Sequence, residues 1–182
     1  MAALDDFARN LFEEAKWFYE KGCEATTAES QAAHFHGSLV LAFCSLEAHT
    51  NAVSDDFLTL AKLCPEERSI LAERRVELTN EGKCELTPKL QIYRIEERLL
   101  FLSQRFSGKP LDKKAAYWGK LSAALHLRND LTHPNTYPII LGRQDLESAL
   151  NAILEVLDIL YKRVYKKGCP LARLGLKSQL IP

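Results

Sequence analysis

The sequence predicts an all-α fold, a helical bundle of about five to six helices. Apolar residues recur at intervals of three and four along most of the chain, which is the period of an amphipathic helix. Helix-starting patterns, such as Thr26 followed by Glu29, alternate with glycines and prolines that end helices. Hydrophobic residues make up 47% of the 182 residues, so one core can bury these stripes without a sheet.

The N-terminal half is predicted to begin with two long helices. The first covers residues 4–20 and stops at Gly22. The second begins at the capping box of Thr26 and Glu29 and runs to about residue 53. Its residues 38–48 leave hardly any position free to face water. We therefore expect this helix at the centre of the bundle.

Shorter elements are predicted to follow. Asp55 and Asp56 restart a helix to residue 63, and Pro65 begins another that extends to about residue 78. Residues 79–87 contain a glycine and few apolar side chains, which indicates a surface loop. Pro88 is predicted to start a helix through residue 106.

The C-terminal part is predicted to contain two more helices and an arm. Asp112 caps a helix that ends at Pro134, and residues 145–167 form the last helix. The chain is predicted to have one domain and a C-terminal arm. We interpret residues 1–168 as the domain. Residues 169–182 are predicted to be the arm, and its leucines pack on a surface of this chain or of a partner.

Charge and composition exclude several classes of protein. Lys plus Arg and Asp plus Glu are both 24, so no global field attracts nucleic acid or anionic membrane. The N-terminus lacks the basic and apolar regions of a signal peptide, and no apolar run approaches the ~20 residues of a membrane span. Five scattered cysteines predict neither a disulfide framework nor a zinc site. A cytoplasmic protein without metal, cofactor or membrane contact is expected.

The segment "LRNDLTHP", residues 127–134, contains side chains that could cleave RNA. Metal-free cleavage needs a base for the ribose 2′-OH and positive charge where the negative charge of the phosphorane develops. Histidine titrates near neutral pH, and the planar fork of arginine grips two phosphate oxygens. His133 and Arg128 are therefore the candidate catalytic residues.

The spacing of these two residues predicts an incomplete site in one chain. Positions five apart on a regular helix point about 140° away from each other. Two chains that bring this helix end together across a two-fold axis would place both pairs in one cleft. Asn129 lies four residues before His133 and could orient the imidazole or the phosphate. Alternatively, Asn129, Asp130 and Pro134 simply end the helix.

"LRNDLTHP" resembles the R-x4-H signature of the HEPN superfamily, in the form with asparagine directly after the arginine. Arg128, Asn129 and His133 match this signature. The earlier apolar helix contains Glu47 and Asn51, four apart on one face, and resembles the small-Leu-Glu-Ala pattern of the family's earlier core helix. The resemblance covers most of residues 1–167.

This resemblance implies a bundle that dimerises through the motif region and, in active members, cuts RNA without metal to leave a 2′,3′-cyclic phosphate. His133 would be the general acid and base, Arg128 the phosphate clamp and Asn129 an orienting group. Glu47 and Asn51 would support them. Many similar proteins are toxins or phage-defence effectors, for which an antitoxin or regulatory protein is a candidate partner. Others are inactive, so a non-catalytic interaction or RNA-binding module is the alternative.

Other side chains are weaker candidates. Tyr117 and Trp118, on the motif helix, could stack on RNA bases but are more often core residues at this spacing. His126, seven residues before His133, could line the cleft, but we interpret it as an ordinary buried imidazole. Some toxin-like relatives carry a modified tyrosine two residues after the histidine, where this chain has Asn135. A third hypothesis is a ligand-binding bundle with an internal apolar pocket.

Overall fold

Helices dominate the computed structural model, which describes residues 2–59, 62–133 and 140–180, and the all-α prediction is confirmed. The α-helices of these ranges are α1 (Ala2–Glu24), α2 (Ala28–Leu58), α3 (Pro65–Ala72), α4 (Ile95–Ser107), α5 (Ala116–Thr132) and α6 (Arg143–Val164). Two strands, β1 (Arg74–Leu78) and β2 (Cys84–Leu90), form an antiparallel hairpin between α3 and α4. The predicted features at Pro134 and Asn135 lie outside the described residues.

The long helices α1 and α2 pack along each other because small side chains line their contact. Ser38 and Ser45 of α2 donate hydroxyl hydrogen bonds of 2.7 Å to the carbonyls of Ala15 and Ala8 on α1. Gly22 of α1 lies so close to Phe35 that an added Cβ would come within 2.4 Å of its ring. These contacts fix α2 in its central position, where it also contacts α3, α4, α5 and α6.

The helix α6 forms the other wall of the core. Its apolar residues at intervals of three and four are buried, including Leu146, Leu150, Ile153 and Leu157. It packs against α2, α4 and α5. The motif helix α5 thus contacts both α6 and α2.

Several predicted helix boundaries are wrong. The first helix passes through Gly22 to Glu24, since close packing on Phe35 favours glycine there. The second begins after Thr27, not Thr26, because the Thr27 hydroxyl accepts the N–H of Ser30 at 3.2 Å. It also continues through Asp55 and Asp56 to Leu58 without a restart.

The hairpin replaces a predicted helix end, a loop and a helix start. The helix from Pro65 ends at Ala72 because Glu73 adopts a left-handed conformation, with φ 49°. Residues predicted to be loop at 79–87 contain the turn and half of β2. The helix predicted from Pro88 begins only at Ile95. The backbone N–H of Arg94 there donates to the carboxylate of Glu97, which caps the start of the helix. Both strands of a two-stranded sheet are edge strands, which tolerate proline.

The C-terminal arm contacts the first helix of its own chain. Leu171 is buried within a short 3-10 helix, Pro170–Arg173. Further on, the backbone N–H groups of Ser178 and Gln179 donate to the carboxylates of Glu20 and Glu13 on α1, at 2.9 and 2.8 Å. A surface of the same chain therefore receives the arm. None of the described helices combines the length and the apolar character that crossing a membrane requires.

Candidate ribonucleolytic site

The candidate site begins where α5 ends. His133 caps the helix with φ −134° and ψ 67°, and its backbone N–H donates to the carbonyl of Asn129 at 2.8 Å. The Thr132 hydroxyl donates to the carbonyl of Arg128 at 3.0 Å. The last turn of α5 is therefore closed by its own backbone and hydroxyl groups, and this turn and the cap that follows it carry Arg128, Asn129 and His133.

Arg128 is held by two side chains of the central helix α2. Its Nη2 donates to Oε1 of Glu47 at 3.2 Å, and its guanidinium carbon lies 5.3 Å from the centre of the Phe43 ring. The first contact is an ion pair and the second a cation–π contact. The Arg128 side chain is 24% exposed and that of Glu47 is 49% exposed. The guanidinium is thus oriented from α2 but still reaches solvent.

Arg128 and Asn129 line a groove of about 410 Å³ between the start of α4 and the end of α5, called here the Arg128 groove. Its other polar side chains are Arg94, Glu96, Ser122 and His126, and its apolar wall consists of Ile95 and Leu125. Two arginines and one glutamate give it a modestly positive charge. A volume in this range suits a small ligand or one unit of a polymer.

His126 lies in this groove and is exposed, so the interpretation of His126 as a buried imidazole is wrong. It sits on α5 about two turns before His133.

His133 is exposed and lies outside the Arg128 groove as the described residues define it. Its backbone has left the helical conformation, and five residues of regular helix would already turn its position about 140° away from that of Arg128. One chain therefore brings Arg128, Asn129 and Glu47 together but does not place His133 with them.

Asn51, one turn after Glu47 on α2, is part of a second polar cluster. Its Oδ1 accepts from Nη1 of Arg98 at 2.8 Å, and the same nitrogen donates to Oε2 of Glu73 at 2.9 Å. Nη2 of Arg98 donates to the hydroxyl of Ser54 at 3.1 Å. Asn51 therefore supports Arg98 on α4 and is not a hydrogen-bond partner of Arg128.

Arg98 is a polar core residue that sequence reasoning missed. It is only 4% exposed, and burial lowers the pKa of its guanidinium, opposed by the carboxylates of Glu73, Glu47 and Asp55. Its position in the sequence could have indicated this burial. Arg98 lies on the apolar stripe of α4, between Ile95 and Leu102, and this stripe faces the core and not the solvent.

The Arg98 groove is a second depression, of about 320 Å³, beside the first. Its polar lining is Glu47, Asn51, Glu73 and Arg98, and its other lining residues are Leu90, Ile92, Tyr93 and Ile95. Ile95 lines both grooves, and Glu47 in this one pairs with Arg128 in the other. The Arg128–Glu47 pair thus stands between two adjacent grooves.

Tyr117 and Trp118 are buried in the first turn of α5, 8% and 7% exposed. The Tyr117 hydroxyl accepts the backbone N–H of Asp112 at 2.8 Å. From Trp118 to Arg128 the helix rises about 15 Å. The structure therefore does not bring these aromatic residues together with the motif.

Within the described ranges, no group of three or more His, Cys, Asp or Glu side chains is arranged to hold a metal ion. Comparison of the chain with protein-family models, curated proteins and solved structures finds no match.

Proposed function

We propose that this chain is a metal-independent endoribonuclease of HEPN type, which acts in the cytoplasm as a homodimer and serves as a toxin or phage-defence effector. One observation carries the proposal. Arg128 is oriented by Glu47 at the mouth of a groove, while His133, five residues later, is exposed at the same helix end. These are the two kinds of side chain that cleavage of RNA requires, in a place that RNA can reach.

The chemistry follows from these groups. The neutral imidazole of His133 removes the proton of the ribose 2′-OH, and the 2′ oxygen attacks the adjacent phosphorus. The bond from phosphorus to the 5′ oxygen breaks, and that oxygen takes up the proton that His133 removed from the 2′-OH. Arg128 stabilises the negative charge that develops on the phosphorane. The products are a 2′,3′-cyclic phosphate and a 5′-hydroxyl.

A dimer completes the site in this proposal. Arg128 points into its groove beside Glu47, whereas His133 leaves the helix outside that groove. Contact of two α5 ends across a two-fold axis would put His133 of one chain opposite Arg128 of the other. Asn129, which lines the Arg128 groove, is then placed to donate to the phosphate or to the imidazole.

Glu47 is proposed as a positioning residue. It occupies one donor on Nη2 of the Arg128 guanidinium and fixes its direction. Nε is buried, so the donors left for phosphate oxygens are those of Nη1 and the second one of Nη2. The carboxylate of Glu47 also reduces the net charge of the site, so binding of RNA would depend on the groove as a whole and on salt concentration.

The test is incubation of mixed RNA with the full chain in EDTA. Wild type should produce fragments with cyclic phosphate ends, and Arg128→Ala and His133→Ala should not. Arg105→Ala and His34→Ala are matched controls, because both residues lie outside the two grooves and should cut like wild type. If both motif variants cut as fast as wild type, the assigned site is wrong.

A non-catalytic module that holds RNA or a protein is the second candidate. The ion pair between Arg128 and Glu47 favours it, since a paired arginine also stabilises a helix end without any reaction. This candidate predicts dimerisation and retention of RNA on a filter, without cyclic phosphate products. The EDTA experiment separates the two.

A further inference from the structure

The Arg98 groove has the size and position of a second binding subsite. Its volume of about 320 Å³ lies at the lower end of the range for small-ligand sites. It meets the Arg128 groove at Ile95 and shares the Arg128–Glu47 pair as its boundary. A polymer bound with a phosphate at Arg128 would therefore place a neighbouring unit in the Arg98 groove.

Charges in the Arg98 groove favour a neutral ligand. Glu73 pairs with Arg98 at 2.9 Å, and Glu47 pairs with Arg128 at 3.2 Å. Each carboxylate is thus compensated by its own arginine. A cation finds no surplus negative charge here, and an anion would have to displace the carboxylate of Glu73 from the buried Arg98. The part of the polymer that enters this groove is therefore uncharged.

Hydrogen-bonding atoms of these side chains remain without a partner among the described residues. Glu73 uses Oε2 toward Arg98, which leaves Oε1 as an acceptor. Glu47 uses Oε1 toward Arg128, which leaves Oε2. Asn51 accepts on Oδ1, so its amide nitrogen can still donate. The groove therefore offers two carboxylate acceptors and one amide donor.

The other lining residues of the groove are mainly apolar. Leu90 and Ile92, at the end of the hairpin, are 66% and 80% exposed. The hydroxyl of Tyr93 is fixed 2.8 Å from that of Ser69 and cannot turn away freely. Apolar and aromatic side chains in the same groove as polar ones provide a face for a planar ring and partners for its edge.

The backbone at Glu73 supports a role for its carboxylate. Glu73 ends α3 in the left-handed conformation, where glycine is the usual residue. A residue with a Cβ costs roughly 1 kcal/mol there. Arg98, which holds the carboxylate, is itself 96% buried, a placement that needs its partners to be in position. The chain thus keeps a carboxylate at this wall despite an unfavourable conformation.

We propose that the Arg98 groove binds a nucleobase of the RNA substrate next to the phosphate held by Arg128, and that this base is guanine. The proposal rests on the proposed ribonuclease function. Guanine presents two adjacent donors, N1–H and the N2 amine, which match carboxylate oxygens, and its O6 accepts from an amide such as Asn51. Adenine lacks the adjacent pair of donors, and hypoxanthine lacks only the N2 amine.

The test measures binding without cleavage. Labelled 2′-O-methyl oligouridylates carry one central guanine, hypoxanthine or adenine, and fluorescence anisotropy reports their affinity for the full chain. Because these strands have no attacking 2′-OH, they cannot be cut. The guanine strand should bind about tenfold more tightly than the hypoxanthine strand, as expected for one hydrogen bond to a charged acceptor.

Two variants and one control variant locate the effect. Glu73→Gln keeps an oxygen for Arg98 but removes the carboxylate, and it should abolish the preference for guanine over hypoxanthine. Glu85→Gln, at an exposed glutamate of β2, is the matched control and should retain it. Ile92→Ser removes a side chain that is mostly exposed, so it should leave the fold intact and weaken binding of the guanine strand severalfold.

The outcomes separate this proposal from the function on which it rests. Equal binding of all three strands, absence of binding, or a guanine preference that survives Glu73→Gln overturns the base pocket. Cleavage in EDTA that depends on Arg128 and His133 can still be observed in that case. Conversely, a guanine preference lost in Glu73→Gln, without any cleavage, supports the pocket and removes only the nuclease.

Discussion

Arg128 on α5 donates to the carboxylate of Glu47 on α2 across 3.2 Å, although the two residues are 81 positions apart in the sequence. The pair joins the motif helix to the central helix and fixes the direction of the guanidinium. Phe43, one turn before Glu47, lies under the same guanidinium at 5.3 Å. The motif is therefore supported by side chains outside the motif itself.

Glu47→Ala should lower kcat/KM for RNA cleavage about tenfold, because Arg128 loses the contact that orients it. Glu47→Gln keeps a hydrogen-bond acceptor and should retain most of the activity. The comparison is made from initial rates in EDTA with both variants at equal concentration. A loss of equal size in both would mean that the charge of Glu47, and not its positioning contact, is what matters.

Arg98→Ala should lower the free energy of unfolding by about 3 kcal/mol, since it removes one partner of a buried ion pair and leaves Asn51, Ser54 and Glu73 without their donor. Urea denaturation followed by circular dichroism measures this loss. Arg105→Ala breaks a more exposed pair with Glu67 and should cost less than about 1 kcal/mol. Equal losses would show that Arg98 does not anchor α4.

His49 should make the protein less stable in acid. Its imidazole is 3% exposed with Nδ1 3.0 Å from the Tyr161 hydroxyl, and burial lowers its pKa to about 4. The unfolded chain, with a histidine pKa near 6.5, binds the proton more readily, so stability falls as pH drops through 6.5 toward 4. Between pH 7 and pH 5 the loss from this residue should be about 2 kcal/mol.

The check is the free energy of unfolding at both pH values for wild type and His49→Phe. The variant keeps an aromatic ring against Tyr161 and removes the titration, so its stability should change less with pH. Asp5 acts in the opposite direction, because burial and the nearby Asp56 raise its pKa and favour the folded state in acid. Because Asp5 is present in both proteins, the difference between wild type and His49→Phe reports the contribution of His49 alone. If the variant lost as much stability between pH 7 and pH 5 as wild type, His49 would not be the source of the loss.

Two glycines on different helices should respond in opposite ways to alanine. In Gly22→Ala the new Cβ meets the buried ring of Phe35 at 2.4 Å, so the variant should lose about 2 kcal/mol of stability. In Gly119→Ala, on the exposed side of α5, nothing lies within 4 Å of the new atom. Helix propensity should then raise stability by about 0.5–1 kcal/mol. Thermal unfolding of both variants measures the difference, and a stable Gly22→Ala would contradict the tight packing of α1 on α2.

The sequence predicts the helical architecture because its apolar period is long and regular in the segments that became α1, α2, α5 and α6. It does not predict the hairpin, because the chain leaves α3 for β1 through the left-handed conformation of Glu73. This position holds neither glycine nor proline, the residues that usually indicate such a turn. The apparent helix start at Pro88 was wrong because a glutamate at position 97 caps α4 later in the chain.

The site was partly predictable for a similar reason. Arg128, Asn129 and His133 are close in sequence, so their pattern is visible without a structure. Arg98 lies thirty residues before Arg128, and its partners come from α2 and from the residue after α3. Only the packing of α4 on α2 brings these groups together, and no local pattern records that packing.

The most direct measurement uses two inactive variants together. Arg128→Ala and His133→Ala chains are co-refolded, the mixed dimers are purified through different tags, and their rate of cyclic phosphate formation in EDTA is compared with that of wild type. If Arg128 of one chain works with His133 of the other, a mixed dimer contains one complete site and should show about half of the wild-type rate. Mixed dimers as inactive as either variant alone, or single variants as active as wild type, would contradict a site shared between two chains.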